Sequence, residues 1–202
     1  AYAEKYDTFV IVDEVYSQII YKPYTYTYFS ELPHMHDRTI CVGSLSKTYS
    51  ITGWRVGYIL GPEAVIDEIK KVHTFFTISA PSPLQEAAVT GLRFGGDYYD
   101  GIVKTYTEKR DILMKGLDDL GLKHNIPQGA FYLLVDISEF GYEKDTEFCE
   151  DLVRKVGVGS VPGSTFFAED VQKYVRLHFA VNNETLYAAL NRLESIRRKL
   201  SR

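Results

Sequence analysis

The chain has 202 residues, with 23 Lys and Arg against 27 Asp and Glu and a formal net charge of −4. That length accommodates one large domain or two small ones with a buried core. The acidic balance excludes a general nucleic-acid or membrane surface, because both partners need clustered positive charge.

The first apolar run, Phe9-Val10-Ile11-Val12, ends at Asp13-Glu14. An unbroken run of this kind predicts a strand buried on both faces, and parallel sheets place their ligands at the carboxyl ends of such strands. Residues 21 to 37 are rich in tyrosine, proline and histidine without a period and predict a loop, in which His34 and His36 are solvated. A second strand, Thr39-Ile40-Cys41-Val42, leads into Gly43-Ser44-Leu45-Ser46-Lys47, and a third covers residues 56 to 60. Pro62 opens a helix whose Val65, Ile69, Val72 and Phe76 mark a buried face at helical spacing. Ser79 to Pro83 stops it and starts another, and Gly95-Gly96 breaks the chain again, with Asp97 as a cap.

A long helix then runs over about residues 98 to 120 and ends at Gly121. Beyond it the pattern predicts a strand at 131 to 135, a helix at 146 to 156, an alternating strand at 174 to 180 and a final helix burying Leu186, Leu190, Leu193, Ile196 and Leu200. In the 174 to 180 strand Val175, Leu177 and Phe179 share one face and leave Arg176 and His178 on the other. The basic cluster Arg192, Arg197, Arg198, Lys199 and Arg202 reads as cations meeting the negative end of a helix dipole. Cys41 and Cys149 have no metal-ligand spacing and suit a reducing compartment. With no apolar run long enough to span a bilayer and no leader pattern, the expectation is a cytoplasmic protein without a membrane segment.

Three chemistries compete for the Ser44 to Lys47 stretch. A phosphate cradle of the nucleotide-hydrolase type needs glycines where Cys41 and Ser46 stand. A serine nucleophile with a lysine base matches Ser44-x-x-Lys47, but the Ser-Asp-Asn and Lys-Thr-Gly elements of such enzymes are absent from the sequence. An imine-forming lysine uses the surrounding residues together. Pyridoxal phosphate needs a lysine for its Schiff base, an acid that keeps the pyridine nitrogen protonated, and fixed donors for its phosphate. Lys47, Asp13, and Ser44 with Arg55 are of those types, and Tyr16 can donate to the phenolic oxygen.

Asp13-Glu14-Val15-Tyr16, Ser44-Leu45-Ser46-Lys47 and Gly53-Trp54-Arg55-Val56-Gly57 resemble the consecutive signatures of the class I/II aminotransferases, fold type I pyridoxal-phosphate enzymes. Pro127 to Tyr132, Val161-Pro162-Gly163 and Tyr174-Val175-Arg176-Leu177 follow in the order of that family. The resemblance implies an α/β fold: part of a mostly parallel sheet of the cofactor-binding large domain with its helices over residues 1 to 115, then a small α+β domain over 116 to 202. It further implies that Lys47 forms the imine link and shuttles a proton, and that Asp13 pairs with the pyridine nitrogen and Tyr16 with the phenolic oxygen. Ser44, Ser46 and Arg55 hold the phosphate, and Arg176 grips the substrate α-carboxylate. The implied reaction is amino-group transfer between an amino acid and a 2-oxo acid by a homodimer. Members are longer, so the chain reads as the C-terminal half of such an enzyme. A pyridoxal-phosphate β-lyase and an inactive fragment acting only in association are the alternatives.

Overall fold

The computed structural model describes residues 1–201, so Arg202 of the basic cluster lies outside the described residues. The chain divides into two compact units, Ala1–Ile102 and the residues from Val103 onward. The division falls within the longest helix.

The first unit is built on a three-stranded sheet in the order β1-β2-β3, with β1 at Val10–Asp13, β2 at Thr39–Ser44 and β3 at Gly57–Leu60. β1 and β2 are parallel, with Asp13 opposite Val42, whereas β2 and β3 are antiparallel, with Ser44 opposite Gly57. The sheet is therefore mixed, which corrects the expectation of a mostly parallel one. The segment between β2 and β3 folds into a short helix, Leu45–Thr48, and the 3₁₀ turn Thr52–Trp54, which return the chain alongside β2 in the antiparallel sense. Helices α1 (Tyr2–Lys5), α2 (Leu45–Thr48), α3 (Glu63–Phe76) and α4 (Ser82–Leu92) belong to this unit, and α5 (Gly96–Asp119) begins in it. Asp97 sits in the first turn of α5 and does not cap it from outside.

Two expectations of burial fail here for one reason. β1 alternates between half-buried and exposed residues, with Ile11 72 % exposed, and α3 has no buried residue, with Phe76 84 % exposed. An apolar period shows which face of an element is meant for cover, but cover needs a partner. Among the described residues no layer closes over these faces. The apolar packing of this unit centres instead on Leu45, Val56 and Ala88, with Tyr49, Ile51, Trp54 and Leu84 against them. Leu45 of that cluster is the first residue of α2.

The second unit holds an antiparallel sheet in the order β4-β6-β5, with β4 at Tyr132–Asp136, β5 at Val161–Pro162 and β6 at Tyr174–His178. Val175, Leu177, Leu133 and Val135 point to one buried face, as their alternation requires. Helix α6 (Asp145–Asp151) is followed by a π-type turn over Leu152–Val156, closed where the Gly157 N–H donates to the Leu152 carbonyl at 2.9 Å. The helix expected from 146 to 156 is thus found over 145–156, with its last turn widened to π type. The expected final helix is broken in two, α7 (Asn183–Leu193) and α8 (Ile196–Leu200). The Asn182 side chain caps α7 by accepting from the Thr185 N–H at 2.8 Å. Phe140 and Phe148, their rings 5.2 Å apart, fill the core beside Leu152, Leu193 and Leu200.

The basic residues of the C-terminal helices bind carbonyls of other segments. Arg197 donates to the Leu120 and Gly121 carbonyls at 2.5 and 3.1 Å, Arg192 to the Gly157 carbonyl at 2.8 Å, and Lys199 to the Lys155 carbonyl at 2.6 Å. They satisfy the orphan acceptors that helix ends leave. Among the described residues no helix is long and apolar enough to cross a membrane, and no group of three or more His, Cys, Asp or Glu could hold a metal ion.

Candidate active site

The three strands of the first unit bring one end of the sheet together. Asp13 is the last residue of β1, and Ser44 is the last residue of β2. The Glu14 N–H donates to the Val42 carbonyl at 2.9 Å, which extends the parallel pairing one residue past Asp13. On the other side the Leu45 N–H donates to the Val56 carbonyl at 3.2 Å, which brings Arg55 to the start of β3 beside the end of β2. Asp13, Ser44, Ser46, Lys47 and Arg55 therefore share one end of one sheet. Tyr16 lies in the turn that follows β1, where the Ile19 N–H donates to its carbonyl at 2.9 Å.

Local chemistry holds each group. Ser44 leaves the strand in extended conformation and caps α2, its hydroxyl accepting from the Ser46 N–H at 3.2 Å. Ser46 is buried, and its carbonyl accepts from the Ile51 N–H and the Thr52 hydroxyl. Lys47 is half-buried on the same turn. That turn is secured from α5, where the Tyr98 hydroxyl donates to the Thr48 carbonyl at 3.0 Å and the Tyr49 and Tyr99 hydroxyls bond at 2.9 Å. Burial, together with the Tyr99 contact, pushes the Tyr49 phenol far above its ordinary value, so it serves as a neutral strut. Gly43 completes the arrangement, because a Cβ there would lie 2.2 Å from the Tyr58 ring that crosses it.

Arg55 occupies the left-handed region, with φ 56° and ψ 43°, a conformation that costs a non-glycine residue about 1–2 kcal/mol. One guanidinium nitrogen donates to the Thr52 carbonyl at 3.0 Å, and the exposed remainder of the fork keeps its other donors. Asp13 is exposed, with Oδ1 accepting from the Val15 N–H at 3.0 Å. The neighbouring Glu14 is different. Burial raises its carboxyl above the ordinary value, the Cys41 thiol opposes that through a hydrogen bond, and the charge of Glu31 adds to it. The acid that follows Asp13 thus resists ionisation.

Arg176 stands in the middle of β6 in the second unit, opposite Leu134 and Val161. Its guanidinium carbon lies 4.8 Å from the Tyr132 ring centroid and 4.3 Å from that of Phe166. The reading of the sequence missed both rings. Tyr132 lies in one quoted segment and Phe166 stands three residues beyond another, but ring contact with an arginine has no spacing by which to find it.

Residues 1–193 match the family model described as aminotransferase class I and II, and the chain belongs to that family. A bifunctional aspartate aminotransferase and glutamate/aspartate-prephenate aminotransferase of Petunia hybrida is 39 % identical over 92 % of this chain and 41 % of its own length. A methionine aminotransferase of Escherichia coli is 37 % identical over 95 % of this chain and 50 % of its own. Among solved structures, the N-succinyldiaminopimelate aminotransferase of Mycobacterium tuberculosis superposes with a TM-score of 0.91 at 28 % identity, covering 96 % of this chain and 51 % of that one. The chain spans about half the length of the curated relatives it matches.

Proposed function

We propose that the protein carrying this chain is a pyridoxal-phosphate-dependent aminotransferase that moves an α-amino group between an amino acid and a 2-oxo acid. The observation that supports it is the convergence of a carboxylate, a primary amine and a guanidinium on one end of the β1-β2-β3 sheet. The donor set fits the cofactor: the Lys47 amine suits an aldehyde, the Asp13 carboxylate a pyridine nitrogen, the Tyr16 phenol a phenolic oxygen, and Ser44, Ser46 and Arg55 a phosphate. When bound, pyridoxal phosphate supplies the electron sink that lets the α-C–H bond ionise and carries the amino group between half-reactions.

The chain's own residues do the rest. Asp13 would hold the pyridine nitrogen and keep its positive charge, since an opposite charge favours the protonated form. Lys47 Nζ would take the proton from the substrate α-carbon and deliver it to the cofactor, a general acid–base role worth about 10²–10⁴ in rate. Arg55 and the serine hydroxyls would hold the phosphate. Arg176 grips the α-carboxylate through two parallel N–H···O bonds, which orient the substrate. A homodimer in the cytoplasm completes the proposal, and two free, buried cysteines are compatible with a reducing compartment.

The test is an assay of the complete protein with pyridoxal phosphate, pairing candidate amino acids, aspartate and methionine first, with 2-oxo acids. Amino-group transfer that depends on the 2-oxo acid is the expected result. Elimination products formed without any 2-oxo acid would instead identify a lyase.

A further inference from the structure

We propose that Phe166, braced by the buried Asp145, is a positioning residue that holds the Arg176 guanidinium in the plane and direction needed to receive a carboxylate. The inference rests on the reading of Arg176 as the carboxylate grip. It adds the device that aims it.

A guanidinium on a flexible stem gains a fork geometry only when its plane is held. Here the guanidinium carbon lies over two rings, Phe166 at 4.3 Å and Tyr132 at 4.8 Å, both within the distance at which a ring face attracts a cation. Tyr132 and Arg176 belong to adjacent strands, so the sheet fixes that wall. Phe166 has no such support. It is 51 % exposed and ends the short 3₁₀ turn Gly163–Phe166, which would fray if left to itself.

Asp145 supplies the brace. It is fully buried, and its carboxylate accepts from the Ser164 N–H at 2.6 Å and from the Ser164 hydroxyl at 2.9 Å. A buried carboxylate is tolerated only where hydrogen bonds repay its lost hydration, and here both come from the turn that carries Phe166. Asp145 starts α6, so the turn is tied to the core of the unit. On its other side the turn lies flush on β6: a Cβ at Gly163 would approach the Tyr174 carbonyl oxygen to 2.4 Å. The Thr165 hydroxyl closes the turn onto the Pro162 carbonyl at 2.8 Å. The chain of contacts runs from Asp145 through Ser164 to Phe166 and ends on Arg176.

The test uses the ¹⁵N-labelled 202-residue chain and pyruvate as the probe carboxylate. The Arg176 Nε–Hε resonance, assigned by its loss in Arg176→Lys, should shift saturably with pyruvate. Phe166→Leu, which keeps bulk but removes the ring, should weaken the apparent affinity about three- to tenfold, and Phe166→Tyr should restore it. Asp145→Asn should move the resonance in the same direction as Phe166→Leu. Unchanged affinity in Phe166→Leu, with affinity lost in Arg176→Lys, would overturn the positioning role and leave the carboxylate grip standing. An unchanged resonance and affinity in Asp145→Asn would overturn the brace. Undiminished pyruvate binding by Arg176→Lys, or no saturable shift in the unsubstituted chain, would overturn the grip and the inference together.

Discussion

The Glu14 N–H donates to the Val42 carbonyl at 2.9 Å, and this pairing puts Asp13 and Ser44, the last residues of β1 and β2, on the same end of one sheet although the whole connection from Glu14 to Arg38 separates the two strands. On the far side of β2 the Leu45 to Val56 bond brings Arg55 to the same place. The fold thus gathers an acid, an amine and a guanidinium by backbone pairing alone.

Arg55 combines a left-handed backbone with an exposed guanidinium. Glycine bears that conformation without strain, so Arg55→Gly should be more stable than Arg55→Ala by about 1–2 kcal/mol in urea unfolding. Both should lose affinity for pyridoxal phosphate to a similar extent, since both lack the guanidinium. Equal stability would show that the backbone relaxes on substitution.

Gly163 and Gly53 differ in what an added methyl would meet. At Gly163 it would strike the Tyr174 carbonyl oxygen, whereas at Gly53 nothing lies within 4 Å. Gly163→Ala should therefore cost about 1–3 kcal/mol or more, and Gly53→Ala within about 0.5 kcal/mol of nothing. Comparable unfolding midpoints for the two variants would contradict the packing of the 163–166 turn.

Asp136 ties β4 to the turn after it. Burial alone would raise its carboxyl, but hydrogen bonds from Ser138 and the charges of Lys173 and Lys123 outweigh that and leave it below the ordinary value. A depressed carboxylate contributes stability that is present above its unfolded value and is lost as the pH falls through the folded one. Asp136→Asn should lower stability near neutral pH and flatten its decline below about pH 4. An unchanged acid limb would remove Asp136 from the account.

Phe76 lies on the uncovered face of α3. Phe76→Ser should change the stability of the isolated chain by no more than about 0.5 kcal/mol, because nothing packs on the ring. It should also reduce binding of a hydrophobic dye, since exposed apolar patches are what such dyes find. A loss of several kcal/mol would mean that the face is covered in solution.

The periodicities and the punctuation of glycine and proline were enough to locate most elements. β1 ends at Asp13 and β2 enters the turn that carries Lys47, as the apolar runs predict. What could not be read has a common physical origin. The period of α3 identifies its apolar face, but whether anything covers Phe76 is a property of the neighbours. The left-handed Arg55 follows from closure of a turn between two antiparallel strands, and residue type alone would argue against it. Asp145 and Ser164 are nineteen residues apart, and neither local period nor charge links them. The same holds for the rings that flank Arg176.

The proposed role of Lys47 is that of the amine that meets the cofactor. It is tested most directly by mixing the 202-residue chain with pyridoxal phosphate, reducing with borohydride and locating the modified residue by peptide mass. Labelling of Lys47 at one equivalent, absent from Lys47→Ala, is the predicted result. Labelling scattered over the exposed lysines, unchanged in Lys47→Ala, would contradict it.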